Sequence, residues 1–237
     1  VCVKQVPEVA DAELELNDDG TDVEREDLVL DLNEWDSYAV EEAIQIRDNV
    51  GGSVTVVTVG DDESEEVLRR EMAMGADNGL LLCDDAFEGS DGKGTATTLK
   101  ALVEQGNYDL ILTGAQADDG AGQVGGMLAA MLDYPFASLV NLIEDIDDKK
   151  IKVGREIAGG NQEMNEIDLP CVLSIQTGIN EPRYVGIRGI RKVASVEIPV
   201  KSAADLGVDA GAVGAAGARV KRLDYFVPEL GEGAEIL

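Results

Sequence analysis

The sequence predicts an α/β protein built on a parallel sheet with helices on both faces. Three observations carry this. Short, β-branched apolar runs alternate with stretches of helical periodicity through the first half of the chain. The runs are apolar without interruption, as strands covered on both faces must be. The joints are marked by residues that end one element and start the next, as where Gly60 is followed by Asp61, Asp62 and Glu63.

The elements follow in order. Residues 1–6 read as a short strand. A helix begins near Glu34, with Tyr38, Ala39, Ala43 and Ile46 near one face. Residues 53–59 form a β-branched run ending at Gly60. Val67, Leu68, Met72 and Met74 mark a second helix, closed by Gly75 as its C-cap. A strand at 78–83, a helix at 94–104 and a strand at 108–113 complete the alternation, which makes βαβ units. From Pro135 the rhythm changes. Asp147-Asp148-Lys149-Lys150 resembles a turn, and 151–157 and 171–176 read as strands. The Ala/Gly-rich stretch 203–218 reads as a linker or loop. The tail 220–237 carries Tyr225, Phe226 and Val227, and an apolar tail of this kind is expected to dock on something. The expected organisation is one α/β domain over 1–200, then a linker and C-terminal arm over 201–237.

Composition narrows the function. The chain has 48 Asp plus Glu against 19 Lys plus Arg, a formal net charge of −29. Such a surface repels phosphate backbones and anionic lipid, so no nucleic-acid partner and no membrane insertion are expected. The acids are spread along the chain instead of gathered in a tail. That distribution fits a folded, halophilic protein working in concentrated salt, where screening makes self-repulsion tolerable. There is no histidine, which removes Ser-His-Asp catalysis and histidine metal sites. Cys2, Cys83 and Cys171 stand far apart with no CxxC, so neither a disulfide framework nor a metal site is expected. Cys2 and Cys171 lie among apolar neighbours and read as buried thiols. With no run of 18 apolar residues, the expected location is the cytoplasm.

Ligands of open α/β sheets bind beyond the carboxyl ends of the strands. Three ends are candidates: Lys4-Gln5-Val6-Pro7, Val59-Gly60, and the glycine-rich loop 114–126. The loop contains GxGxxG at Gly120, Gly122 and Gly125. It stands away from its strand and late in the sheet, which disfavours a dinucleotide fingerprint and an NAD-dependent dehydrogenase. It carries no lysine, so it is no P-loop. Its glycines permit a phosphate to approach bare N–H groups at a helix start; alternatively they let helix and sheet pack closely. The acids after Gly60 suit a helix start and repel phosphate, so Val59-Gly60 suits an adenosine. Asp118 and Asp119 read as solvated loop acids, not Mg²⁺ ligands.

The segment 180–192 gathers Arg183, Arg188, Arg191 and Lys192 in a chain poor in bases, with Tyr184, Ile187 and Ile190 spaced by three. It reads either as a partner-contact loop, with bases around apolar anchors, or as an amphipathic helix packed on its own sheet.

Several strings, in order, carry a resemblance: Val3-Lys4-Gln5-Val6-Pro7; Leu32-Asn33 with Ala39-Val40-Glu41-Glu42-Ala43; Arg70 with Met72-Ala73-Met74-Gly75-Ala76-Asp77; Gly114 with Gln116 through Gly125; Arg155-Glu156 with Gly159-Gly160; Leu169-Pro170; Asn180 through Tyr184; and Phe226-Val227-Pro228-Glu229. Together they resemble the β, or smaller, subunits of electron-transfer flavoproteins over nearly the whole chain. The resemblance implies a flavodoxin-like or adenine-nucleotide-α-hydrolase-like domain paired with a larger α subunit that makes most contacts to FAD. It implies AMP, or a second FAD, in this chain. Carried over, Cys2 contacts the nucleotide through its backbone, Asn33 reaches it, Val59 with Gly60 lines the adenosine, and Gly122, Gln123, Val124 and Gly125 hold the phosphate. Tyr184, Ile187, Arg188, Arg191 and Lys192 correspond to the loop that docks dehydrogenases, with Ile187 as its apolar anchor.

The sequence also departs from the family pattern. The glycine-rich loop is one residue short, one residue is inserted after Gly160, Val9 stands where some members place an aromatic near the flavin, and Arg188 replaces a common proline. The implied function is an electron carrier subunit, not an enzyme. It takes electrons from acyl-CoA-type flavin dehydrogenases toward a membrane quinone oxidoreductase. A stand-alone adenine-nucleotide sensor or hydrolase of the same fold is the alternative.

Overall fold

In the computed structural model the described residues are 1–8, 14–18, 20–24, 28–117, 119–120, 122–221 and 223–226. Val9, Asp118 and the arm beyond Phe226 lie outside them. In chain order the strands are β1 (Gln5–Pro7), β2 (Leu30–Leu32), β3 (Thr55–Val59), β4 (Asn78–Leu82), β5 (Leu110–Gly114), β6 (Phe136–Ile146), β7 (Lys150–Ile157), β8 (Asn161–Asp168), β9 (Cys171–Ile175) and β10 (Val200–Lys201). The helices are α1 (Glu34–Val50), α2 (Glu65–Met74), α3 (Gly92–Gln105), α4 (Val124–Leu132), α5 (Ile187–Val193), α6 (Ala203–Leu206) and α7 (Gly214–Gly217).

The strand order is β10-β4-β3 on one side and β5-β9-β6-β7-β8 on the other. Residues 1–3 join the halves. Val3 N–H donates to Val57 O and Val57 N–H to Val1 O, each at 2.9 Å, while Cys2 N–H donates to Leu112 O at 2.9 Å. The first residues thus sit between β3 and β5 and make one continuous sheet. Pairing is parallel from β10 to β3 and from β5 to β6. It is antiparallel among β6, β7 and β8.

Both faces are covered, as the uninterrupted apolar runs require. On one, Leu99, Leu102 and Leu128 of α3 and α4 pack on Val57, Leu80, Ile111 and Val172. On the other, Val40 and Ile44 of α1 and Leu68 and Met72 of α2 pack with Val3, Val56 and Leu81. A third cluster joins Ile151, Val153 and Ile167 to Leu112 and Leu173. The expected helices and the strands of the first half appear within a few residues of their predicted limits. Gly75 closes α2 at φ 144°, a conformation that a side chain resists.

Three features differ from expectation. β6 and β8 were not foreseen, because acids and amides break their apolar alternation; their pairing partner β7 makes them strands. The stretch 203–218 is no linker. Ser202 and Asp205 form a capping box that starts α6, and Ala203, Leu206 and Val213 are buried against the core. Residues 1–6 divide between the main sheet and β1, which pairs with β2.

The chain forms two compact units, Val1–Val6 with Asp31–Arg219, and Pro7–Leu30 with Val220–Leu237, so the main unit runs past residue 200. In the second unit the side chain of Asn17 accepts the N–H groups of Thr21 (2.9 Å) and Asp22 (3.2 Å), closing a turn between Leu16 and Val23. Tyr225 N–H donates to Gly20 O at 2.7 Å, which ties Tyr225 to this turn.

Candidate functional site

From residues 1–3 the chain passes through α1 to β3 on one side, and from β4 through α3 to β5 on the other. Connections that leave in opposite directions open a crevice at the strand ends. Asp36, in the first turn of α1, is buried there at 4% exposure. Its Oδ2 accepts Lys4 N–H at 2.8 Å and its Oδ1 accepts Gly114 N–H at 3.0 Å. Those N–H groups would otherwise continue the ladder that Cys2 and Leu112 begin. The carboxylate takes both positions, and the two strands part. Burial pushes the Asp36 carboxyl up to about 7, against the opposing pull of Asn33 and the two backbone donors.

Asn33 precedes α1. Its Nδ2 donates to Gln116 O at 2.9 Å, while its buried Oδ1 has no hydrogen-bond partner among the described residues. Trp35 Nε1 donates to Gln176 Oε1 at 3.1 Å, tying the start of α1 to the end of β9. The glycine-rich loop then crosses the strand ends. Gly122 lies at φ 62°, and a Cβ there would meet Ala115 O at 2.5 Å. Ala117 bridges Gly120, and the ammonium of Lys4 pairs with Asp119. The loop has no cation of its own; the end of the first strand brings one to it.

The N-cap residue Gln123 makes no side-chain cap on α4, and the first N–H groups carry the partial positive charge of a helix start. Gly125 serves packing: a Cβ would meet Ser174 Oγ at 2.5 Å and Thr113 Oγ1 at 2.7 Å. The two alternatives for this loop therefore fall on different residues. Gly125 lets α4 sit against β5 and β9, and the helix start with Gly122 suits an anion. At the end of β3, Gly60 N–H donates to Leu82 O at 3.1 Å, and Asp61 accepts Ser64 N–H at 3.1 Å. Cys2, Asn33, Val59, Gly60, Gly122, Gln123, Val124 and Gly125 thus all lie on or beside three neighbouring strand ends. Sequence reasoning missed Asp36. In so acidic a chain an acid in a first helical turn reads as a helix-dipole partner.

The basic segment also resolves into two roles. Arg183 Nε and Nη2 bind the two carboxylate oxygens of Glu41 at 2.7 and 3.0 Å, and Asn180 Nδ2 donates to Tyr38 O at 3.1 Å. Gly189 abuts the carbonyl of Ala73, and Val193 is buried, so α5 packs on α2. Tyr184 (93% exposed), Ile187 (69%) and Ile190 (51%) project outward with the exposed Arg188, Arg191 and Lys192. A shallow cavity of about 270 Å³, lined in part by Phe136, Arg155 and Asp168, lies on β6–β8 away from the strand ends. Among the described residues no acid or thiol cluster could hold a metal ion, and no helix is long and apolar enough to cross a membrane.

A parallel sheet covered on both faces, with a glycine-rich loop and a helix start at its switch point, defines an open α/β protein of the kind whose ligands bind beyond the strand ends. The chain matches the electron transfer flavoprotein domain over residues 21–206. It is 38% identical to the electron transfer flavoprotein subunit beta of Methylophilus methylotrophus, covering 100% of this chain and 90% of that one. It is 37% identical to the protein of the same name from Thermoanaerobacterium thermosaccharolyticum, with 100% and 90% covered. It is 36% identical to the caffeyl-CoA reductase-Etf complex subunit CarD of Acetobacterium woodii, again with 100% and 90% covered. The chain belongs to the electron transfer flavoprotein family, among its β subunits, and its role is electron transfer.

Proposed function

We propose that this chain is the smaller half of a heterodimeric carrier. It pairs with an α subunit that holds most of the FAD, and it binds an adenine nucleotide, AMP or a second FAD, in the crevice between residues 1–4 and β5. The observation that carries the site is the start of α4, which Gln123 does not cap, on the loop that Asn33 binds through Gln116 O, with the buried Asn33 Oδ1 unpartnered among the described residues. Phosphate fits the first and a ligand hydrogen-bond donor the second. Cys2, Val59 and Gly60 line the adenosine side, and Gly122, Gln123, Val124 and Gly125 the phosphate side. When bound, flavin supplies the redox chemistry. This chain's residues hold the nucleotide and present a docking face.

That face is formed by Tyr184, Ile187, Arg188, Arg191 and Lys192, and its partners are flavin dehydrogenases of the acyl-CoA type. Their electrons pass onward to a membrane quinone oxidoreductase, and the pair works in the cytoplasm of a cell rich in salt. The test is co-purification with the α subunit and mass identification of the released nucleotides. A yellow heterodimer that releases FAD and an adenine nucleotide is expected. A chain that forms no flavin-bearing pair, or turns over ATP alone, would overturn the proposal in favour of a stand-alone nucleotide protein.

A further inference from the structure

The geometry points to Asp36 as a positioning residue of the nucleotide site: its carboxylate holds the two strand ends apart beside Asn33, so that Asn33 Oδ1 accepts from a donor on the ligand. This rests on the reading of the crevice as a nucleotide site and adds how that site selects its ligand.

Both Asp36 oxygens accept backbone N–H groups, from Lys4 and from Gly114. The Asn33 amide stands at the same strand end, since a Cβ added to Gly114 would meet Asp36 Oδ1 and, at 3.2 Å, Asn33 Nδ2. Nδ2 donates to Gln116 O at 2.9 Å. With the amide nitrogen engaged there, the oxygen is the group left over. That oxygen is buried, on a residue of 1% exposure, and no described residue donates to it. A buried amide oxygen without a donor is unfavourable, and a ligand that supplies one removes the deficit. Gly114 is part of the arrangement, because a Cβ there would come within 2.7 Å of Trp35 Cβ and closer still to Asp36. A glycine admits α1 to the strand end, and α1 brings the carboxylate.

The chemistry demands an acid at this position. Asparagine has the same shape, but it presents an amino group to a backbone N–H and loses an acceptor. The site also gains selectivity, since a pocket built around a hydrogen bond rejects the analogue that lacks it.

The test uses the αβ heterodimer stripped of nucleotide, with AMP as probe. Two analogues accompany it: deoxy-AMP, lacking the ribose 2'-hydroxyl, and purine riboside monophosphate, lacking the exocyclic amino group. The unaltered complex should bind one analogue about tenfold more weakly than AMP, the size of one lost hydrogen bond to a buried partner. Asn33→Ala keeps the carboxylate and its backbone bonds, and it should weaken AMP while abolishing that discrimination. Asp36→Asn should do the same in an assembled heterodimer. Discrimination that survives in Asp36→Asn, even with weaker AMP binding, overturns the positioning role. Should Asp36→Asn fail to assemble, Asn33→Ala decides, and retained discrimination there overturns the proposal. An unaltered heterodimer that binds no adenine nucleotide instead overturns the underlying site.

Discussion

Single residues set the pH response of this chain. Glu71 of α2 is 1% exposed, and its Oε2 has no hydrogen-bond partner among the described residues. Burial pushes its carboxyl up to about 8, with Arg70 opposing and the charges of Asp36, Asp31 and Glu41 adding to the rise. The folded chain therefore keeps a proton that the unfolded chain loses above about 4.5. Stability falls as pH rises through that window and levels off beyond it. Asp36 adds a slope of the same sign between its ordinary 3.8 and about 7. Glu71→Gln should stabilise the protein at pH 8 by about 1–3 kcal/mol and flatten the slope between pH 7 and 8, read as urea midpoints. An unchanged slope there would rule out Glu71 as its source. Glu41 behaves oppositely. Burial raises it, but the Arg183 guanidinium outweighs that and holds it below the ordinary range. Arg183→Ala should cost about 1–3 kcal/mol by stranding a buried carboxylate, toward the lower end because the arginine is partly exposed.

At the scale of elements, α4 and α5 each rest on one glycine. Gly125→Ala drives a Cβ against Thr113 and Ser174, so α4 must lift from β5 and β9. The expected cost is about 1–3 kcal/mol of stability, with weaker nucleotide retention, measured together on the heterodimer. Gly189→Ala pushes α5 from the backbone of α2 and should lower both stability and transfer from the dehydrogenase. Ile187→Ala separates these effects, because the side chain is exposed and touches little of its own fold. Electron transfer from the dehydrogenase should fall about tenfold, the loss of one interface anchor, with thermal stability unchanged. An unchanged rate would remove Ile187 from the docking face.

The whole molecule carries a formal charge of −29. At 1 M salt the screening length is about 3 Å, and at 0.1 M about 10 Å, so the acids repel one another far more strongly in dilute buffer. Dialysis from molar KCl to 0.1 M should lower the unfolding temperature by several degrees or more. Sucrose, which strengthens burial without screening charge, should restore it only in part. Equal stability in both salts would show that the acids do not adapt the chain to salt.

Much of this was legible locally. The runs 53–59, 78–83 and 108–113, the helix faces and Gly75 are encoded over a few residues, as periodicity and caps always are, and they were enough to predict a doubly covered α/β sheet. The glycine-rich loop and the basic segment were visible for the same reason. β8 was not, because Asn161 through Glu166 shows no apolar alternation and becomes a strand only by pairing with β7. Nor was the role of 203–218, whose few apolar residues matter only once they reach the core. Asp36 is the clearest case. Its type and helical position were plain, but its partners are 32 and 78 residues away. Chain chemistry decided which elements form; only the folded sheet, by parting two strands at its switch point, decided that one acid among 48 Asp and Glu would sit between them.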